Sequence, residues 1–328
     1  MIYKFHLILF FLIVLLFSKN SIAQIHSSNA YSNVICAESQ LKHLEFLCSE
    51  KAAGRGAGTE GGRITSEYIK NEFEKYGLQP FFNGKFIQEF FLKTSNSYGG
   101  YNNNGYNKGR NIVGLIPAKK KFANNIIICA HYDHIGKIKG KIYPGADDNA
   151  SGVTALLELA KAFGFNYKDN GGSEYNFIFV AFDGNNYSLS GSKYFLEKFF
   201  GGNKISCVIN IDQIGSTLSP PNNRKDYLLV LGSDHLTPWQ KRQIDYVNKF
   251  FKINLDIDYS YYNSKEFYDI FYRLSDHYPF FTKGIPSVLF SSGITKHTNK
   301  ESDSIQNLDL AILNKRINLI YRFLWQIN

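Results

Sequence analysis

Cysteine, proline and acid are all scarce in this sequence, and each shortage excludes something. Cys36, Cys48, Cys129 and Cys207 are the only cysteines in 328 residues, with no C-x-x-C pair among them, which argues against a cysteine-based zinc module and a disulfide-stapled scaffold. Cys129 and Cys207 lie inside apolar strand-like runs and read as buried free thiols. Cys36 and Cys48 flank a helical pattern whose ends are too far apart to bridge unless the helix starts late. Of the eight prolines only Pro220 and Pro221 are adjacent, so no Pro-rich linker divides the chain, and no internal repeat is visible. Acid is the rarer charge, 28 residues against 37 basic ones. The excess is spread out, however: Lys119, Lys120 and Lys121 form the one compact basic run, which reads as a solvated loop and not as a nucleic-acid patch.

Long apolar runs are confined to the start. In MIYKFHLILFFLIVLLFSKNSIAQ, Lys4 precedes an apolar run over 7–17, followed by the small polar segment Ser21-Ile22-Ala23. The run is shorter than the roughly 20 residues that span a bilayer, so 1–23 is expected to be a secretory signal peptide cleaved after Ala23. Its removal takes two lysines and no acid, leaving a chain of about +7 that is expected to be exported, periplasmic or extracellular, without a membrane span. Residues 24–328 are expected to form a single α/β domain. The stretch SNSYGGYNNNGYNKG at 95–109 reads as an exposed loop.

Apolar residues recur at helical spacing over 38–47 and 63–76, with the Gly-rich AAGRGAGTEGG between them. That loop follows a helix and lacks a Lys-Ser/Thr ending, so it makes a poor phosphate cradle. Strand-like runs follow: NIVGLIP, NIIICAHYD, YNFIFVAFD, CVINID, DYLLVLG and PSVLF, most of them continuously apolar. Continuous runs imply burial on both faces. Helical patterns at 150–163, 190–200, 238–251 and 276–283 alternate with them, which predicts an open, mostly parallel α/β sheet with helices on both faces. Ligands bind such sheets outside the carboxyl ends of the strands.

Polar residues gather at those ends. NIIICA runs into His131-Tyr132-Asp133-His134, VINI into Asp212, and YPGADDNASG supplies Asp147 and Asp148 before a helix. One imidazole with two or three carboxylates from separate strand ends is the donor set of a catalytic zinc site. Asp133 is placed to accept the second ring N–H of His131 and fix its tautomer. Singly, each has a structural reading: His-x-Asp as packing, Asp147 as a helix cap. The combination carries the metal reading.

Over 41–320 the chain resembles the bacterial leucyl aminopeptidase type of zinc peptidase, metallopeptidase family twenty-eight, whose relatives include glutaminyl cyclases. The blocks LKHLEFLCSEKAAGRGAGTEGG, RNIVGLIP, AHYDHIG, YPGADDNASGV, GSKYF, NIDQIG, SDHYPF and GIPSVLFSSG stand in family order. The resemblance implies a three-layer zinc-aminopeptidase fold, with His131 and Asp212 binding one zinc, Asp147 bridging to a second, and Asp133 orienting the histidine. Two adjacent glutamates of the family, the general base and a ligand of the second zinc, fall on Asn185 and Asn186. The last histidine ligand falls on Asn299.

An amide cannot act as a general base near neutral pH, and amide oxygens suit calcium or magnesium better than zinc. The expectation is therefore one zinc on His131, Asp147 and Asp212, peptides or protein N-termini as partners, and weak or lost hydrolysis. The alternative is an active mono-zinc aminopeptidase. A glutaminyl cyclase reading is set aside, because the zinc it depends on needs the missing Glu and His. His297 and Asp183 are the local candidates to replace what is missing. His277 has a near-site reading and a packing reading, and the aromatic stretch 258–278 reads chiefly as core and surface, with cleft lining as the other possibility.

Overall fold

Strand positions that are apolar one after another require cover on both faces, and strand β4 (Asn125–His131) shows how it is supplied. Ile126, Ile128 and Ala130 enter one core, while Ile127 and Cys129 enter another on the opposite face. The computed structural model describes residues 31–82, 84–92, 108–199 and 204–328. The leader expected at 1–23 and the polar stretch up to residue 107 lie outside the described residues.

Ahead of β4 come helices α1 (Ala37–Leu47) and α2 (Glu60–Lys75) and strands β1 (Gln79–Pro80), β2 (Ile87–Phe91) and β3 (Lys108–Ile116). After it come the hairpin β5 (Gly136–Ile138) and β6 (Lys141–Tyr143), then α3 (Gly152–Asn170), β7 (Asn176–Phe182), α4 (Ser190–Phe199) and β8 (Ile205–Ile211). The chain continues through β9 (Tyr227–Leu231), α5 (Pro238–Phe250), β10 (Asp256–Asp258), α6 (Lys265–Tyr272), α7 (Tyr278–Phe281), β11 (Ser287–Ser291) and α8 (Leu310–Gln326).

Among the described residues nine strands form one sheet in the order β1-β3-β7-β4-β8-β11-β9-β10, with β2 also on β3. The central strands β7, β4, β8 and β11 are parallel, and antiparallel pairings of β3 with β7 and of β11 with β9 flank them. Side chains of α1, α2, α3 and α8 fill one face, and Phe195, Leu196 and Phe199 of α4 with Phe280 of α7 fill the other. The chain passes from β4 to β7 on one side and then from β7 across to β8 on the other. The mouth of such a switch point is where an α/β sheet opens a crevice.

Two helices were not anticipated. The first, α8, buries Leu313, Ile317, Ile320 and Leu324 at helical spacing, and α6 lies within the aromatic stretch 258–278. The helix expected over 276–283 is reduced to the four residues of α7, because Ser275, Asp276 and His277 turn into a buried polar network instead. Helix α1 spans the gap between Cys36 and Cys48, and 11 residues at 1.5 Å each separate them by about 16 Å, too far to bridge. All four cysteines are free, Cys129 and Cys207 buried. No helix among the described residues is long and apolar enough to cross a membrane.

Candidate metal centre

Parallel register brings two of the expected residues together. Cys129 of β4 lies opposite Asn210 of β8, and two residues further on, past the strand ends, His131 Nε2 lies 3.3 Å from Asp212 Oδ1. The third donor there is Asp148, whose Oδ1 is 3.5 Å from His131 Nε2. Among the described residues, His131, Asp148 and Asp212 form a group whose donor atoms all lie within 4.8 Å of one another.

The structure thus places Asp148, and not the expected Asp147, beside the histidine. Asp147 turns inward: its Oδ1 accepts the backbone N–H groups of Gly215 at 2.7 Å and Ser216 at 3.1 Å and the Ser151 hydroxyl at 3.2 Å. The backbone amides of both aspartates donate to the Asp303 carboxylate at 2.9 and 3.0 Å. This fixes the main chain so that successive side chains leave on different sides. Gly145 opens the turn with φ +54, and a Cβ there would collide with the Asp148 carbonyl and the His134 ring. The Asp148–Asn149 peptide bond is cis.

Asp133 also acts differently from its sequence reading. His131 Nδ1 is 3.0 Å from the backbone carbonyl of Asp133, and 3.9 Å from its carboxylate. The carboxylate instead accepts the backbone N–H groups of Asn185 at 3.0 Å and Asn186 at 3.4 Å. The imidazole orientation therefore comes from a carbonyl, while the side chain of Asp133 holds the Gly-Asn-Asn turn after β7.

Burial shapes the electrostatics. It would lower the pKa of His131, but the charges of Asp212, Asp148 and Asp133 outweigh it and hold the imidazole well above its ordinary value. Burial pushes Asp148 up to about 7, with His131 opposing, and Asp147 up to about 7 with Asp303 adding to it. Asp133 rises to about 8 through burial and the neighbouring Asp183. Asp212 is held below the usual carboxylate range because His131 and Ser275 outweigh its burial. Of these carboxyl groups, Asp148 and Asp212 alone share with His131 the space that a cation would occupy.

The donor set fits zinc. Ligand atoms about 2.0–2.2 Å from a tetrahedral ion lie about 3.3–3.6 Å apart, and the two separations from His131 Nε2, 3.3 and 3.5 Å, fall in that range. One imidazole nitrogen and two carboxylate oxygens match zinc's preferred ligands and leave a fourth position. His134 packs alongside with its Nδ1 3.8 Å from Asp148 Oδ2, and neither of its ring nitrogens has a hydrogen-bond partner. Burial, Arg55 and His131 keep it neutral.

A cleft of about 330 Å³ opens over the triad, and its walls include Asn185, Asn186 and Asn299. The three asparagines are thus brought to the same place as His131, Asp148 and Asp212. Asn185 Nδ2 donates to the buried Asp276 carboxylate at 3.0 Å. Asp183 does not take over from them: its oxygens accept from the Arg110 and Gly184 amides and the Tyr132 hydroxyl. His297 lies outside the lining, with Nδ1 2.9 Å from Ser302 Oγ. His277 is fully buried, edge-on to Tyr272 at 4.4 Å, and packs. From the aromatic stretch, Tyr261 and Phe271 do line the cleft.

Sequence reading missed three supporting residues. Ser275 donates to Asp212 Oδ2. Asp303 fixes the loop of the two aspartates. Arg55, fully buried, donates to the carbonyls of Leu47, Tyr132, Pro144 and Gly145 at 2.6–2.8 Å. The Gly-rich loop around Arg55 hinted at a special conformation, but nothing in it said which carbonyls the guanidinium would reach.

The chain is similar to known proteins in sequence over part of its length and in fold over most of it. The chain is 42% identical over 74 residues to the human BOS complex subunit NCLN, covering 22% of this chain and 13% of that protein. It is 27% identical over 193 residues to the Escherichia coli alkaline phosphatase isozyme conversion protein, covering 54% of this chain and 50% of that one. It therefore spans at most half the length of these curated relatives. BSAP, a zinc aminopeptidase from Bacillus subtilis, superposes with a TM-score of 0.68 at 15% identity, over 89% of this chain and 95% of that one, a likeness of fold alone. The model of peptidase family M28 matches residues 111–324, from the strand before β4 through α8 and across every residue of the triad, so the chain belongs to that family.

Proposed function

We propose that this chain is an exported, M28 aminopeptidase-like protein that binds peptide N-termini at a single zinc ion and hydrolyses them weakly or not at all. His131, Asp148 and Asp212 would hold the ion. Zinc on such ligands supplies Lewis-acid polarisation of a carbonyl or a water. The observation that carries the reading is Asn185, which lines the cleft where a general base has to stand, with its NH₂ engaged by Asp276. An amide held in that way offers a carbonyl oxygen as acceptor for a substrate N–H and has no proton to exchange. Loss of a general base typically costs about 10² to 10⁴ in rate. Asn186 and Asn299 add neutral polar groups to the same wall, without the charge that a second zinc needs. Export rests on the leader, and N-terminal sequencing of the secreted protein should find Gln24 first.

The decisive experiment is zinc content by mass spectrometry beside a panel of aminoacyl substrates. Close to one zinc per chain is expected, lost in His131→Ala, with leucyl substrates turned over at least about a thousandfold more slowly than by an intact relative. Asn185→Glu, Asn186→Glu and Asn299→His combined should raise turnover and zinc content together. Two zinc ions per wild-type chain would overturn the single-zinc reading, and ordinary turnover would establish an active aminopeptidase instead.

A further inference from the structure

A second cavity, of about 730 Å³, adjoins the metal cleft. The two share Asn185 and Leu274 as a common wall. Its charge is one-sided. Lys193, Arg273 and Lys283 line it against one acid, Glu197, which is itself 3.2 Å from Lys198. Lys193 Nζ donates to the Ser188 carbonyl at 2.7 Å, and among the described residues the side chains of Arg273 and Lys283 have no hydrogen-bond or ion-pair partner. Leu196 and Leu274 give it an apolar side. The cavity thus suits an organic chain bearing anionic groups better than a small inorganic anion.

Its position relative to the triad supplies the rest. An extended peptide advances about 3.3–3.6 Å per residue, so a peptide with its first residue at His131, Asp148 and Asp212 and its chain running past Asn185 and Leu274 delivers its following residues into this cavity. We propose that the cavity is a subsite for carboxylates carried by the residues downstream of the peptide's N-terminus, either acidic side chains or the free C-terminus of a short peptide, with Arg273 and Lys283 as the principal contacts. The inference rests on the peptide-binding reading above and adds a substrate class to it.

The test is calorimetric binding to the zinc-loaded protein of three peptides: Leu-Ala-Ala-Ala-amide, Leu-Ala-Glu-Glu-amide and Leu-Ala-Ala with a free carboxylate. Exposed ion pairs contribute up to a few-fold each, so the two anionic peptides should bind about five- to tenfold more tightly than the neutral one at low salt. The advantage should shrink towards nil at 0.5 M salt, where screening is nearly complete within a few ångströms. If only the glutamate peptide gains, side chains are the source; if only the short acid gains, the C-terminus is. Arg273→Gln with Lys283→Gln should abolish the preference and leave the neutral peptide's affinity unchanged, and Lys283→Glu, which shifts the charge by the same two units, should abolish it as well. Equal affinity for all three, or a preference that survives the double substitution, overturns the subsite while leaving peptide binding intact. Failure of any peptide to bind overturns the peptide reading itself. The salt series on wild type reads the same electrostatics without any substitution.

Discussion

Two adjacent aspartates divide the labour at the metal centre. Asp147 satisfies backbone donors of the loop after β8, while Asp148 faces His131 and His134. Their substitutions should therefore separate. Asp148→Ala is expected to weaken zinc binding by at least about a hundredfold while leaving the metal-free fold close to wild type, since it removes a carboxylate from an acidic cluster. Asp147→Ala should destabilise the metal-free protein by about 2–4 kcal/mol, because it strands the Gly215 and Ser216 amides in a buried site. Zinc titration and urea denaturation of each variant check the pair. The division is wrong if Asp147→Ala loses zinc without losing stability.

Among the elements, the site is assembled by clamps more than by strands. Strands β4 and β8 deliver His131 and Asp212 by register alone, but the loop carrying Asp148 has no sheet to align it. Arg55 joins that loop to the end of α1 and the end of β4 through four carbonyls, and Asp303 holds its amides from the segment before α8. Arg55→Met should cost about 3 kcal/mol or more, because several buried carbonyls lose their donor at once. Arg55→Lys should recover only a minor part, since a single ammonium cannot reproduce the fork of a guanidinium. Denaturation midpoints order the three proteins. A lysine variant as stable as wild type would show that charge alone suffices.

Taken whole, the molecule gathers carboxyl groups that prefer to be protonated. Asp133, Asp147 and Asp148 have folded pKa values of about 8, 7 and 7, above their ordinary 3.8, and His131 is also raised. A raised group contributes stability that is present below its unfolded pKa and is lost as pH rises through the folded one. Buried neutral His134 and His277 act oppositely, favouring the fold as pH rises towards 6.5. Above pH 6.5 only the raised groups remain in play. Metal-free protein should accordingly lose thermal stability between pH 6.5 and 8.5, whereas zinc, by neutralising the cluster, should flatten or reverse the slope. Calorimetry with and without zinc measures both, and a metal-free Tm that climbs over this interval contradicts the scheme.

Much of this was legible beforehand, for reasons that differ by residue. The continuous apolar runs of β4, β7 and β8 determined a sheet covered on both faces, because no other arrangement buries Ile126, Ile127 and Ile128 together. The polar residues ending those runs marked the crevice, and His131 and Asp212 followed from their places at the ends of β4 and β8. Asp148 did not, since side-chain direction in an irregular loop depends on contacts with Gly215, Ser216 and Asp303, which are 67 residues or more away. The same holds for Arg55, whose partners lie on three separate segments, whereas the helical spacing of α8 is local and readable in the sequence. Composition and periodicity thus determined the family of fold and which strand ends carry chemistry. Only the tertiary structure decided which carboxylate meets the histidine and that Asp133 and Asp147 hold backbone amides instead, because those are facts about where distant backbone groups find their partners.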